Sequence, residues 1–160
     1  MPVNNVIRML ESRKIAFQAF ETPIEELGAQ GTAEFLKIPI NLIYKTIVVK
    51  RESSGKPVLA IVPGNCRVDL KLLAAFLGEK KLLLTTKDEA EKLTGLQTGG
   101  ISPLALINKG FTMILDETAR EHETIHISGG MRGLNIRIPV KDLIEITGMN
   151  MGNISSKIGD

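Results

Sequence analysis

The chain has two histidines, and they lie four residues apart in the segment HETIH at positions 122–126. On a helix, this spacing would let both imidazoles bind one zinc ion, with the glutamate between them as a general base. The segment favours a strand instead, because its β-branched residues are followed at once by Ser128-Gly129-Gly130. In a strand the two histidines are about 13 Å apart and cannot share a metal ion. The pattern predicts a polar strand face carrying His122 and His126, and no zinc site.

A lysine lies among aliphatic residues in a second predicted strand, at positions 43–50. Ile43, Lys45 and Ile47 alternate, so the charge shares a strand face with two large apolar side chains. Lysine is almost never fully buried without a partner. Two interpretations stay open: the face borders a cleft that holds Lys45, or Lys45 lies at a sheet edge with its ammonium group in water.

Two loops in the second half of the chain are rich in glycine: TGGISPL at 98–104 and SGGMRG at 128–133. Glycine lets a ligand approach the backbone closely, and Pro103 stiffens the exit of the first loop. Backbone N–H groups in such a loop can bind an oxyanion or a carboxylate. The alternative is an ordinary tight turn, and for the second loop a hairpin turn is the favoured interpretation.

Several functional classes lack their motifs. The sequence has no G-x-x-x-x-G-K-[ST] phosphate loop, no G-x-G-x-x-G after a strand and no G-x-S-x-G nucleophile elbow. A net charge of +2 does not indicate binding to duplex DNA, and a chain without tryptophan and with one tyrosine does not predict an aromatic platform for single strands. The motifs therefore indicate neither a nucleotide-binding protein nor a hydroxyl-triad hydrolase.

The composition of the 160 residues is ordinary for a soluble protein, with 43% hydrophobic and 24% charged residues. Apolar runs are far shorter than the roughly 20 residues of a membrane span, and the first residues do not resemble a signal peptide. Cys66 is the single cysteine, so no intrachain disulfide can form and a reducing cytoplasm is expected. We expect Cys66 to be a small, half-buried apolar residue.

The elements that position these motifs alternate between helices and strands. Asn4 or Asn5, Asp69, and Thr85 or Thr86 are candidate helix caps, and glycines 78, 95 and 148 are candidate helix ends. Helices are predicted at 3–12, 28–36, 69–77, 86–94 and 140–147, and strands at 15–20, 43–50, 57–63, 82–84, 111–115, 123–127 and 134–138. This order predicts one α+β domain over residues 1–160, with a largely antiparallel or mixed sheet and a frayed tail at 149–160.

Four segments resemble successive blocks of one protein family: YKTIVV at 44–49, DLKLLAAFLGEKKLLL at 69–84, EAEKLTGLQTGGISPLAL at 89–106 and ETIHISGGMRGLNIRI at 123–138. The family is the YbaK/prolyl-tRNA-synthetase-associated domain family of aminoacyl-tRNA editing proteins, and the resemblance covers about residues 15–148. It implies a compact α+β fold with a mixed, partly barrel-like sheet flanked by helices. It also implies a free-standing trans-editing hydrolase that deacylates mischarged aminoacyl-tRNA in the cytoplasm.

The resemblance also implies roles for particular residues. Lys45 would face the ester, while Gly100, Ile101 and Ser102 would form the catalytic part of the loop that wraps it. The implied substrate-binding residues are Thr46, Gly99, Pro103, Ser128, Gly129, Gly130, Arg132 and Asn135. Members of the family use neither a protein nucleophile nor a metal, so no cofactor is expected. The implied partner is the acceptor end of an aminoacyl-tRNA, with prolyl-tRNA synthetase as a second candidate, and neither DNA nor a membrane.

Cys-tRNA(Pro) is the first expected substrate. The chain departs from the cysteine-specific members at Asn135 and in the segment 20–23, where those members carry a tyrosine and this chain reads FETP. Pocket side chains decide which small aminoacyl group is accepted, so alanine or another small residue stays open as the substrate. The alternative function is a non-catalytic module of the same fold that binds the end of a tRNA or a synthetase.

Overall fold

The computed structural model describes residues 3–25, 27–52 and 54–159. The helices are α1 (Asn5–Ser12), α2 (Gly28–Leu36), α3 (Leu70–Leu77), α4 (Lys87–Thr94) and α5 (Val140–Thr147). The strands are β1 (Gln18–Glu21), β2 (Tyr44–Arg51), β3 (Val58–Pro63), β4 (Cys66–Val68), β5 (Leu82–Leu84), β6 (Thr112–Asp116), β7 (Thr124–Ser128), β8 (Leu134–Pro139), β9 (Asn150–Gly152) and β10 (Ser155–Lys157). Within the described ranges, no helix combines the length and apolar character needed to cross a membrane.

Side-chain caps fix where the helices begin. The Asn4 side chain accepts a hydrogen bond from the Ile7 N–H, and Asp69 accepts from two N–H groups in the first turn of α3. Thr86 and Glu89 form a reciprocal capping box at the start of α4. The predicted glycine ends are confirmed as left-handed C-cap residues at Gly78, Gly95 and Gly148.

The strands form three sheets. In the five-stranded sheet, with order β5-β2-β3-β6-β9, β2 is antiparallel to both neighbours, whereas β6 is parallel to β3 and β9. The sheet β1-β8-β7 is antiparallel, and β10 pairs antiparallel with β4. The α+β class is confirmed, and the sheets do not close into a barrel.

The central strand β3 is buried on both faces. Leu59 and Ile61 point into a core shared with α1, α5, β7 and β8, and Val58 and Val62 point into a second core beneath α3 and β5. A strand that is apolar at every position fits this central place, because helices or a second sheet cover both of its sides. The five-stranded sheet therefore provides a rigid base for the residues on β2.

The prediction of a frayed tail at 149–160 was wrong for the described residues. β9 pairs with β6, β10 pairs with β4, and Ile154 between them is fully buried. The Ile154 N–H donates to Asp116 Oδ1 at 3.2 Å, and its carbonyl accepts from the Asp69 N–H at 2.8 Å. β4, β9 and β10 were not predicted, because their sequences CRV, NMG and SSK have no apolar run such as the LLL of β5 and are too short to show alternation.

The prediction of a strand with Ile125 and Ile127 on one face and His126 on the other is confirmed, but His122 lies outside the strand and the His126 face is not exposed. Ile125 and Ile127 on β7 enter the core, and His122 follows a short 3-10 helix at Glu117–Glu121. His126, on the opposite face, is only 6% exposed: the Phe20 ring lies against its imidazole, and Ile43, just before β2, pairs with its backbone. Among the described residues, no group of three or more histidine, cysteine or acidic side chains could hold a metal ion.

Candidate functional site

A cavity of about 270 Å³ lies where β2, residues 22–25 and 27–32, and the two glycine loops meet. It contains the following predicted site residues: Lys45, Thr46, Gly99, Ile101, Ser128, Arg132 and Asn135. The predicted residues Gly100, Ser102, Pro103, Gly129 and Gly130 do not line it. Both glycine loops thus reach the same cavity as Lys45, although the two loops are about 30 residues apart in sequence.

Lys45 lines the cleft. It lies on β2 opposite Val62 of β3, outside the stretch 49–51 that pairs with β5, and its Nζ is 3.5 Å from the Gly64 carbonyl oxygen. Burial lowers the pKa of the Lys45 ammonium below the ordinary lysine value, and the nearby Cys66 opposes this shift. Among the described residues, no carboxylate pairs with Lys45. The cavity therefore contains a partly desolvated cation that a ligand can reach.

Gly100 allows the two glycine loops to pack against each other. Its N–H donates to the Gln97 carbonyl at 2.8 Å, so this group closes a turn and does not face a ligand. A Cβ added at Gly100 would lie 2.9 Å from the Cα of Met131, closer than side chains tolerate. The next residue, Ile101, lines the cavity, and its N–H donates to no group among the described residues. The Ile101 N–H is therefore the candidate backbone donor of this loop, whereas the Gly100 N–H is already used in the turn.

Ser102 and Pro103 anchor the first loop from behind. Ser102 is fully buried, and its Oγ accepts a hydrogen bond from the Leu104 N–H at 3.1 Å. This contact caps the 3-10 turn Pro103–Ala105, which begins with the proline. The Ser102 hydroxyl therefore stabilises the turn, and Ser102 does not line the cavity.

Side chains of the second glycine loop donate hydrogen bonds to the backbone of the first. The Ser128 hydroxyl donates to the Gly99 carbonyl at 3.3 Å, and Arg132 Nε donates to the Thr98 carbonyl at 2.6 Å. Glu91 on α4 accepts from the Thr98 N–H at 2.7 Å, and this hydrogen bond lowers the pKa of the Glu91 carboxyl. The wall formed by the two loops is thereby fixed to α4.

Gly129 and Gly130 form the tight part of the second loop. The Gly129 N–H donates to the Leu134 carbonyl at 2.9 Å, and its carbonyl accepts from the Asn4 side chain at 2.9 Å. Gly130 has a φ of +93°, which favours glycine. The loop is a hairpin turn between β7 and β8, as the favoured interpretation predicted, and it also carries Ser128 and Arg132 to the cavity.

Asn135 brings a carboxamide into the cavity wall, and its partner was not identified from the sequence as a site residue. Asn135 Oδ1 lies 2.8 Å from Nδ1 of the buried His126. Burial lowers the pKa of His126 more than the Asn135 hydrogen bond raises it. Alternation along β7 could have found this residue, because His126 and Ser128 lie on the same strand face.

Residues 22–25 and 27–32 form a further part of the cavity wall, of which the sequence indicated only the beginning, in the segment 20–23. They include the lining residues Thr22, Pro23, Glu25 and Leu27. Tyr44 lines the cavity beside Lys45; burial raises its pKa to about 12, and its hydroxyl lies 2.8 Å from Thr118 Oγ1. Tyr44 belongs to the YKTIVV block and Thr22 and Pro23 to the FETP segment, whereas no motif in the sequence marks Glu25 and Leu27.

The described lining residues include two cationic side chains, those of Lys45 and Arg132, and one carboxylate, that of Glu25. Asn135 and Ile101 line the cavity as well. Neither histidine nor cysteine is among its described lining residues, so none of its hydroxyl groups is paired there with an imidazole base. Such a site can bind an oxygen that gains negative charge and leave the attack to water.

Comparison with known proteins connects this geometry to a family. A family model described as an aminoacyl-tRNA editing domain matches residues 26–146. The chain is 34% identical to the Enterococcus faecalis protein named "Putative Cys-tRNA(Pro)/Cys-tRNA(Cys) deacylase EbsC", over 96% of this chain and 93% of that one. It is 29% identical to the proline–tRNA ligase of Fervidobacterium nodosum over 63% of this chain, but it spans only 17% of that enzyme.

A solved structure has the same fold. The crystal structure of a "putative trans-editing enzyme for prolyl tRNA synthetase" superposes with a TM-score of 0.80 at 24% identity, and the alignment covers 97% of this chain and 99% of that one. At this level of identity the likeness concerns the fold, and the whole of the chain takes part in it.

Proposed function

The chain belongs to the aminoacyl-tRNA editing domain family, and we propose that it is a trans-editing deacylase of mischarged tRNA carrying a small amino acid. Cys-tRNA(Pro) is the first substrate we propose, because the Enterococcus faecalis relative is named for that activity. The observation that carries the proposal is the single cavity where Lys45 meets residues of both glycine loops. We place the reaction in the cytoplasm, where tRNAs are charged.

In the proposed reaction, water attacks the carbonyl carbon of the ester that joins the amino acid to the terminal ribose. The carbonyl oxygen gains negative charge, and the Ile101 N–H and the Lys45 ammonium stabilise it. The bond from the carbonyl carbon to the ribose oxygen then breaks, and a proton passes to that oxygen, giving free amino acid and tRNA. An aminoacyl ester is already activated, so positioning and charge stabilisation can supply the catalysis.

The roles of the remaining site residues follow from their contacts. Ser128 and Arg132 hold the Thr98–Gly99 backbone, and Thr46 lies next to Lys45 on β2. We propose that they position the ester and do not react with it. Gly100, Gly129 and Gly130 give the loops their close packing, while Ser102 and Pro103 fix the base of the first loop.

The proposed partner is the acceptor end of an aminoacyl-tRNA, since the cavity has room for the aminoacyl end and not for the body of a tRNA. Association with a prolyl-tRNA synthetase is a further part of the proposal. Its support is the similarity of this chain to a portion of proline–tRNA ligases.

Deacylation of a panel of Cys-, Ala-, Ser- and Pro-tRNA by the purified protein tests the proposal. We expect one mischarged small-residue tRNA to be discharged and correctly charged Pro-tRNA(Pro) to be spared. Lys45→Ala should lower kcat/KM by about tenfold or more, because the developing oxyanion loses a charged donor. Lys50→Ala is the matched control, since Lys50 lies on the same strand, pairs with Glu89 and does not line the cavity.

Two results would contradict the proposal. Failure of the wild-type protein to discharge any member of the panel would contradict the proposed deacylase activity. Saturable binding of tRNA without turnover would then favour the alternative, a non-catalytic module. Equal activity of Lys45→Ala and the wild type would be consistent with a deacylase but would contradict the proposed role of Lys45.

A further inference from the structure

Phe20, His126 and Asn135 meet on one face of the three-stranded sheet β1-β8-β7. Phe20 is the register partner of Asn135, which is in turn the partner of Ser128 on β7. His126 lies two residues before Ser128 and therefore on the same face. The Phe20 and His126 rings are 5.6 Å apart between centroids, and both His126 and Asn135 are more than nine-tenths buried. This face runs from the glycine loops of the cavity to the buried imidazole.

The contact between His126 and Asn135 fixes the orientation of the carboxamide. The two atoms at 2.8 Å are His126 Nδ1 and Asn135 Oδ1. A carboxamide oxygen can only accept, so the imidazole must carry its proton on Nδ1. Burial, with a smaller effect from Arg137, lowers the pKa of His126 and outweighs the Asn135 hydrogen bond that raises it, so the neutral ring is favoured. The neutral ring therefore donates its one N–H proton to Asn135.

The other end of the Asn135 carboxamide is available to a ligand. Asn135 lines the cavity, and its Nδ2 donates to no group among the described residues. Nδ2 is also not fully enclosed. Within the described residues, Ser156 Oγ is the only fully enclosed side-chain polar atom that lacks a hydrogen-bond partner. The amide group is thus accessible, and access to it runs through the cavity.

We propose that His126 is a positioning residue, which holds Asn135 by its oxygen so that the amide N–H₂ group donates to an oxygen of the bound aminoacyl ester. The inference rests on the proposed deacylase function and adds a selective contact to it. With its oxygen occupied by His126, Asn135 presents donors and no acceptor. The pocket therefore favours a substrate that places an acceptor oxygen, such as the ester carbonyl, against β8.

The first test determines which ring nitrogen of His126 carries the proton, and it does not depend on deacylase activity. Long-range ¹H–¹⁵N correlation spectra of the wild-type protein at neutral pH should show His126 as the Nδ1–H tautomer. His122, whose ring lies at 6.4 Å from Tyr44 and has no comparable amide partner among the described residues, is the internal reference. Observation of the Nε2–H tautomer at His126 would overturn the proposal, because Nδ1 would then accept from an amide turned the other way.

The second test asks whether His126 acts through Asn135. His126→Asn and His126→Leu have side chains of similar size, but only asparagine keeps a donor near the position of Nδ1. We expect His126→Asn to stay within about threefold of the wild-type kcat/KM and His126→Leu to fall by about five- to tenfold, as for the loss of one oriented hydrogen bond. Thermal unfolding of both variants shows whether the fold is retained.

A double-mutant cycle gives the decisive comparison. In an Asn135→Ala background, His126→Leu should change kcat/KM by less than about twofold, because the amide that it positions is absent. An undiminished five- to tenfold loss in that background would mean that His126 supports the fold directly, and it would overturn the proposal. If the wild type has no deacylase activity at all, the proposed function fails while the tautomer measurement still decides the role of His126.

Discussion

At the scale of single residues, Ser102 and Ser128 differ in what their hydroxyl groups do. Both serines lie in or beside glycine loops, and both were predicted as site residues. Ser102 is fully buried, and its hydroxyl binds the Leu104 N–H, whereas Ser128 lines the cavity and binds the Gly99 carbonyl. Their sequence contexts are alike, and only the fold separates a turn cap from a residue of the cavity wall.

Substitution of each serine by alanine should separate stability from activity. Ser102→Ala removes a cap and leaves a buried N–H without a partner, so the free energy of unfolding should fall by about 1–2 kcal/mol. Its kcat/KM for the deacylated substrate should stay within about threefold of the wild type. Ser128→Ala, the matched change, should have the smaller effect on stability and the larger one on kcat/KM. Urea unfolding and deacylation kinetics test both, and the reverse order of effects would place the Ser102 hydroxyl in the reaction.

At the scale of elements, the sequence predicted the features that depend on residues close together in the chain. The caps at Asp69 and Thr86, the glycine helix ends and the alternation on β2 all act within a few residues, and the structure contains them as predicted. The closeness of the two glycine loops was implied only by family resemblance. The burial of His126 was missed, because its neighbours Phe20 on β1 and Ile43 just before β2 are far away in sequence.

The packing of the two loops predicts the effect of Gly100→Ala. A Cβ at Gly100 meets the backbone of Met131 and Arg132, which cannot rotate away as a side chain would. We expect the loops to separate, Ile101 to shift from the cavity wall, and kcat/KM to fall by about tenfold or more, since small misplacements in a site are costly.

Gly78→Ala provides the control for this change. Gly78 ends α3 at a φ of +72°, and a Cβ there meets nothing within 4 Å. That variant should lose about 1 kcal/mol of stability through backbone strain and keep its activity. Deacylation kinetics and unfolding are measured on both variants. Equal activity of Gly100→Ala and Gly78→Ala would contradict this account of the loop packing.

At the scale of the whole molecule, the C-terminal segment connects two of the three sheets. β9 extends the five-stranded sheet, β10 completes the pair with β4, and the residues between them enter the second core. Asp116 is 1% exposed and bonds both to the Ile154 N–H and to Thr118, which contacts Tyr44 of the cavity wall. The segment lacks alternation in its sequence, so its structure depends on partners that are distant along the chain.

Ile154→Ala tests whether this segment belongs to the cooperative core. Ile154 is 0% exposed, whereas Ile158, four residues later, is 59% exposed and provides a control of the same chemistry. Removal of a buried isoleucine side chain costs about 2–5 kcal/mol, whereas an exposed substitution stays within about 0.5 kcal/mol. Urea unfolding should therefore show a large loss for Ile154→Ala and almost none for Ile158→Ala. Similar values for the two variants would mean that the segment unfolds separately from the rest of the domain. A large loss for Ile154→Ala alone would show that the segment and the sheet beneath the cavity unfold as one unit, because Ile154 packs in the core formed by β2, β3 and β6.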